Sequence, residues 1–351
     1  MNLTVLDINE VDKMLMKSIF DKTSIKGKEL KNRVFRSGTW MAMADEEGNI
    51  NSEVVDLYEN YAKGEIGSIV TGVTSVCDGD ERIDGMMSIS NDSFIDVHKE
   101  LTSRVHEYGS LIFLQIAIVD LHTRGLDTVT NLRYEDLDRI VSLFKDAAVR
   151  ADEAGYDGVQ LHVAHFLFLS KFISPLYNNR LDRYGKTNEG RCRLIVEILD
   201  GIRSVVSSGF IVSVKINSSD FIPNGLVEDD FLEICEILDG EGVDFIEVSG
   251  NSPYRPTIQD ASDEAYFLDS AVKLKERVSC PVVLTGGHRS IENMECVLNS
   301  TGIEYLGLSR PFIYEPYLLR RWLNGDTSPS KCISCNFCYK TLNHECVYKI
   351  G

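Results

Sequence analysis

The chain has 351 residues, of which 43% are hydrophobic and 26% charged, the balance of a folded globular protein rather than a disordered one. Against 36 Lys and Arg stand 54 Asp and Glu, a formal net charge of −18. That excess argues against nucleic acid and against an anionic membrane surface as partners, since both need clustered basic side chains.

Residues 1–30 read as a lead-in. Short β-branched runs then alternate with longer amphipathic segments almost to the end of the chain. Strands are expected to start at Val34, Ser68, Leu111, Gly158, Ile211, Phe245, Pro281 and Ile303. Each run is short and apolar throughout, as in strands buried on both faces of a parallel sheet. Helices are expected over 53–63, 93–108, 135–154, 188–206, 228–240, 264–278, 290–299 and 315–323. Acid-led starts such as Glu228-Asp229-Asp230, and glycines such as Gly109 and Gly155 just past helix ends, mark the boundaries. This succession of βα units predicts an α/β fold, the closed (β/α)8 barrel, over residues 1–325. A doubly wound open sheet is the competing reading, and the lack of GxGxxG after the first strand counts against it. Residues 326–351, introduced by Thr327-Ser328-Pro329-Ser330, read as a Cys-rich appendage.

The N-terminus lacks a basic segment leading into an apolar run, and no apolar stretch is long enough to span a bilayer. Of nine cysteines, Cys77, Cys192, Cys235, Cys280 and Cys296 are scattered and four crowd the last twenty residues. Reduced thiols in a cytoplasmic protein fit that distribution better than a disulfide framework.

In such a barrel, chemistry belongs where strands end and βα loops begin. Gly286-Gly287 follows the seventh strand and Ser309-Arg310 the eighth. Glycines let backbone N–H groups approach a phosphate, and arginine adds a bidentate charge contact. Lys215 ends the fifth strand, where a lysine facing an apolar mouth needs an anion or must lose its proton. It could pair with an electron-rich ring or serve as a Schiff-base nucleophile in a barrel lyase. His162 and His165 close the fourth strand, placed to ligate a metal or to hydrogen-bond a carbonyl or phenolate. Gln115, on the third, carries an amide able to read a planar heterocycle.

Taken together these residues resemble the old yellow enzyme, or NADH:flavin oxidoreductase, family. The likeness runs from about Leu30 to Cys338. It includes Asn32 through Thr39, Gly67 through Gly72, Leu161 through Pro175, Asp182-Arg183-Tyr184-Gly185, Glu247-Val248-Ser249-Gly250, Gly286 through Ser290 and Ser309-Arg310-Pro311. The resemblance implies non-covalent FMN reloaded by NADH or NADPH. Ser37, Gly38, Thr39 and Gly72 would meet the ring, Gln115 and Lys215 its pyrimidine side, and Gly286, Gly287, Ser309 and Arg310 the phosphate. His162 and His165 match the pair that holds a substrate's electron-withdrawing oxygen, so that hydride reaches an activated C=C bond. A small-molecule substrate is thus implied, with a homo-oligomer left open.

Two segments depart from the family pattern. Phe166-Leu167-Phe168 replaces Gly-Tyr-Leu, whose tyrosine donates a proton, and the third strand runs Gln115-Ile116-Ala117-Ile118-Val119-Asp120-Leu121 where Gln-x-x-His-x-Gly-Arg is usual. An apolar substrate with another proton source fits these changes, with Tyr254 and Tyr266 as candidate donors. A flavin-binding protein that has lost reductase activity is the alternative. Finally, Cys332, Cys335, Cys338 and Cys346 form C-x2-C-x2-C-x7-C, similar to the cluster-binding end of the dienoyl-CoA reductase branch. A 4Fe–4S cluster, a structural zinc or free thiols are the readings of that tail.

Overall fold

The computed structural model describes residues 16–78, 82–120, 128–250, 258 and 260–348. Eight parallel strands form its centre: β1 (Val34–Arg36), β2 (Ser68–Val70), β3 (Leu111–Ala117), β4 (Gly158–Val163), β5 (Ile211–Asn217), β6 (Ile246–Ser249), β7 (Val282–Thr285) and β8 (Tyr305–Leu308). Each pairs with its successor. β8 returns to β1 through Leu306 opposite Val34, and β2 reaches β3 through Ile69 opposite Ile112, so the sheet closes into the (β/α)8 barrel. The pair Thr74–Ser75 and Met87–Ser88 lengthens the wall above β3.

The barrel is filled differently at its two ends. Phe35, Phe113, Phe245 and Tyr305 meet inside its lower half, with ring centroids of Phe35 and Phe245 5.4 Å apart edge to face. Aromatic contacts of this kind add to the burial of the rings themselves. The antiparallel pair Thr23–Ile25 and Lys28–Leu30 covers that end, placing Ile25 and Leu30 against the same cluster. Toward the strands' C-terminal ends the inward positions turn polar: Gln115, Gln160, Lys215 and Glu247 are all buried there.

Helices wrap the outside: α1 (Ser52–Lys63), α2 (Ile95–His106), α3 (Tyr134–Glu153), α4 (Asn188–Arg203), α5 (Glu228–Gly240), α6 (Leu268–Lys275), α7 (Ile291–Ser300) and α8 (Leu318–Leu323). Side-chain caps start several of them. The Asn51 carboxamide accepts from Val54 N–H at 3.0 Å at the head of α1, and Thr187 Oγ1 accepts from Gly190 N–H at 3.1 Å at the head of α4.

Two expected helices are shorter than their apolar pattern. In place of 264–278, α6 covers Leu268–Lys275, because Tyr266 N–H is drawn to the Gly286 carbonyl at 3.2 Å and Ala265 sits at φ +56°. In place of 315–323, α8 starts at Leu318 after a separate turn over Arg310–Tyr314. Pro316 forces Glu315 out of the helical region, to φ −139°. No helix among the described residues is long and apolar enough to cross a membrane.

Candidate functional site

A cavity with about 610 Å³ of empty space, partly open to solvent, lies at the C-terminal ends of the strands. Eight residues expected from the sequence line it: Gly38, Thr39, His165, Lys215, Gly286, Gly287, Ser309 and Arg310. Four others do not. Ser37, Gln115 and His162 are buried behind the lining, and Gly72 borders a second, apolar cavity with Trp40, Met41 and Met87.

The floor is an interlocked polar layer. His162, Lys215 and Glu247 stand in register on β4, β5 and β6, which brings their side chains to one level. Lys215 Nζ lies 2.9 Å from Glu247 Oε1 and donates to Ser37 Oγ at 2.9 Å, with both charged groups almost wholly enclosed. Ser37 Oγ in turn donates to Glu247. Gln160 Nε2 donates to the other carboxylate oxygen at 2.9 Å, and Gln115 Nε2 donates to Gln160 Oε1 at 2.7 Å. A buried ion pair is tolerated where its remaining polar atoms find partners, as here. Gly38 sits close above this layer, where a Cβ would meet the Gln115 carboxamide and push it aside.

The Arg36 guanidinium orders the loop leaving β1. It is buried, lies 4.8 Å from the Tyr61 ring centroid, and donates to the Ser37 carbonyl and to Thr39 Oγ1. Sequence reasoning missed Arg36, Gln160, Glu247 and Ser249 as site residues. Glu247 was open to discovery, being a charge at the end of the strand next to that of Lys215.

His165 and Phe166 both have positive φ, +62° and +59°, a conformation that non-glycine residues rarely hold outside constrained sites. The turn swings the His165 ring back toward His162. His165 Nδ1 lies 3.2 Å from His162 Nε2, and its Nε2 lies 3.0 Å from Ser249 Oγ. One nitrogen of the first contact must donate and the other accept, so the two tautomers are linked. The segments that differ from the family pattern meet on this side. Ala117, Val119 and Leu167 pack with Val73, Met86 and Trp40 as an apolar cluster, while Asp120 is taken up by Lys171 Nζ at 2.8 Å.

The opposite end presents hydrogen-bond donors. Gly286 and Gly287 adopt φ of +111° and +85°, open to glycine at no steric cost. Among the described residues, the backbone N–H groups of Gly286, Gly287 and Ser309 donate to no other group. Arg310 borders the same space. Tyr266 and Phe267 lie over the diglycine, and Tyr266 Oη accepts from Arg310 Nη2 at 3.1 Å. Tyr266 thus sits at the cationic end, away from the histidines, and Tyr254 lies outside the described residues.

The tail folds back over the mouth. Ser334 and Tyr339 line the cavity, and the His344 ring donates to the Trp40 carbonyl at 2.7 Å. A metal at Cys332, Cys335, Cys338 and Cys346 is not shown: among the described residues no group of three or more His, Cys, Asp or Glu is placed to hold a metal ion, although Cys335 and Cys346 lie near enough to Cys332 and Cys338 to add to the upward push that burial gives those thiols. A left-handed Asn336 and the 3-10 turn Phe337–Lys340 shape the segment, and burial pushes the Cys332 and Cys338 thiols up, favouring their protonated form.

The model of the NADH:flavin oxidoreductase / NADH oxidase family matches residues 18–135 and 122–327. A NADH-dependent flavin oxidoreductase of Aspergillus parasiticus is 35% identical over 310 residues, covering 78% of this chain and 69% of that protein. A NADH oxidase of Thermoanaerobacter brockii is 27% identical over 343 residues, covering 91% of this chain and 53% of its own length, so the chain spans only about half of that relative. The solved old yellow enzyme homologue from Zymomonas mobilis superposes with a TM-score of 0.75 at 21% identity, over 89% of this chain and 94% of that one, a likeness of fold. The chain therefore belongs to the NADH:flavin oxidoreductase / NADH oxidase family, the flavin-dependent oxidoreductases of old yellow enzyme type.

Proposed function

We propose that the chain binds FMN non-covalently in the main cavity, is reduced by NADH or NADPH, and reduces an activated C=C bond in an apolar substrate bearing an electron-withdrawing oxygen. The observation that carries this is the donor set at one end of the cavity. Gly286, Gly287 and Ser309, whose N–H groups donate to nothing among the described residues, line it together with Arg310, while Lys215 stands on the floor. Backbone donors and a guanidinium fit a phosphate. FMN, when bound, supplies the hydride chemistry.

The chain's own residues do the rest. Gly38 and Thr39 border the ring space, with Ser37 and Gln115 supporting it from beneath. With His162 holding Nδ1 of His165, a substrate oxygen would replace Ser249 Oγ as the partner of Nε2, and the imidazole would then withdraw electron density from the conjugated bond. Gly72 and the cluster of Ala117, Val119 and Leu167 favour apolar ligands. Leu167 cannot donate a proton, so the carbon that needs one takes it from water or another side chain. No electron transfer is assigned to the tail cysteines, at which no metal site is shown among the described residues. Lys215 is held by Glu247 and Ser37, which weighs against a Schiff-base role.

The test is an anaerobic absorption spectrum of FMN-reconstituted protein titrated with NADH and then NADPH, followed by a hydrophobic enone. Flavin bands that bleach with a nucleotide and return with the enone are expected. Protein that takes up no FMN sinks the proposal. Bands that bleach but never return leave a flavin reductase without this acceptor class.

A further inference from the structure

Arg310 is held by the cysteine-bearing tail. A guanidinium carries five N–H donors. In Arg310, Nη1 donates to the Ser334 carbonyl at 2.9 Å and to Asn336 Oδ1 at 2.7 Å, and Nη2 donates to Tyr266 Oη at 3.1 Å. The N–H on Nε and the second N–H on Nη2 donate to no group among the described residues.

The tail's position is fixed at several points besides Arg310. Ser330 N–H donates to the Arg289 carbonyl at 2.8 Å, Ile258 N–H donates to the Ile333 carbonyl at 3.2 Å, and His344 is tied to Trp40. Asn336 reaches Arg310 from a left-handed backbone at φ +65°, a conformation asparagine tolerates better than most residues. An unrestrained arginine would lose side-chain freedom on meeting an anion; one already held on three donors has lost it beforehand.

We infer that the cysteine-bearing tail is a positioning element of the phosphate site, and that Asn336 sets the preference for a phosphorylated over an unphosphorylated flavin. The inference rests on reading the main cavity as an FMN site. Asn336 acts through Arg310, turning the Nη1 edge toward the tail and leaving the remaining donors for the phosphate.

The experiment compares equilibrium binding of FMN and riboflavin to the full-length apoprotein, wild type and Asn336→Gly, by quenching of flavin fluorescence. Glycine keeps the left-handed backbone and removes only the acceptor. Wild type is expected to bind FMN at least about tenfold more tightly than riboflavin, a difference of about 1.4 kcal/mol. In Asn336→Gly, FMN binding weakens about tenfold while riboflavin stays within about twofold. Unchanged FMN affinity overturns the inference, and so does an equal loss for both flavins, which marks a merely structural role. Wild-type protein that binds neither flavin defeats the FMN reading itself, a result distinct from the other two. Should Asn336→Gly not fold, Asn336→Ser, too short to reach Nη1, is read in the same way.

Discussion

At the floor of the cavity, Lys215 and Glu247 matter as a pair more than either does alone. Together they carry no net charge, and Ser37 and Gln160 occupy the hydrogen-bonding positions around the carboxylate. Removing one partner leaves the other charge buried without compensation, which costs about 3–5 kcal/mol. Glu247→Leu is therefore expected to destabilise the apoprotein by about that amount in urea denaturation. Adding Lys215→Met should recover at least about 1 kcal/mol, a coupling that additive sites do not show. Strictly additive losses would mean that the two groups do not pair in solution. The same pair bears on the cavity's charge: a ligand over Lys215 meets an ammonium already shared with a carboxylate.

Two elements carry buried histidines whose protonation opposes folding. His98, on α2, donates from Nε2 to the Ser88 carbonyl at 3.0 Å and accepts at Nδ1 from Tyr156 O–H at 2.7 Å. His288, just past β7, donates from Nε2 to the Leu284 carbonyl at 3.1 Å. Burial pushes both imidazoles down to about 4. In the unfolded chain each titrates near about 6.5. Between those values the unfolded state binds more protons than the native state, so stability rises with pH across the window and falls as pH drops through it. Each histidine accounts for up to about 1.4 kcal/mol per pH unit there. Urea midpoints are expected to fall between pH 7 and pH 5, and His98→Gln to remove about half of that decline relative to its own value at pH 7. A wild-type midpoint flat over that range would show that neither histidine is neutral and enclosed as described.

Over the whole molecule, the net charge of −18 repels an anionic nucleotide, while Arg310 and the backbone donors attract it only at close range. The screening length shrinks from about 30 Å at 0.01 M ionic strength to about 8 Å at 0.15 M. Long-range repulsion is then removed and the local contacts survive. With the reading of NAD(P)H as reductant, kcat/KM for NADH should rise at least about twofold over that interval. A fall would mean that the cationic end of the cavity governs capture from a distance.

The strands were legible because a strand buried on both faces must be apolar along its length, and Val34, Ser68, Leu111, Gly158 and Ile211 open β1 to β5 where that pattern starts. Gly286-Gly287 and Ser309-Arg310 were legible for a related reason: the end of each strand fixes where its loop begins, so short motifs reveal a shared rim. Local patterns overran at residues 264–267, where the pull of the Gly286 carbonyl on Tyr266 wins over helical periodicity. The spacing of the tail cysteines gave no account of how their thiols would be oriented, and a metal there is not shown among the described residues. Nor could periodicity announce that Glu247 neutralises Lys215, that His165 turns back on His162, or that Asn336 grips Arg310. By itself the sequence determined the order of strands and helices, the fold and the family, since burial and turn chemistry act on neighbouring residues. Which polar groups share a proton, a charge or a ligand was decided only by barrel closure and by the return of the tail, because those contacts depend on register between distant segments.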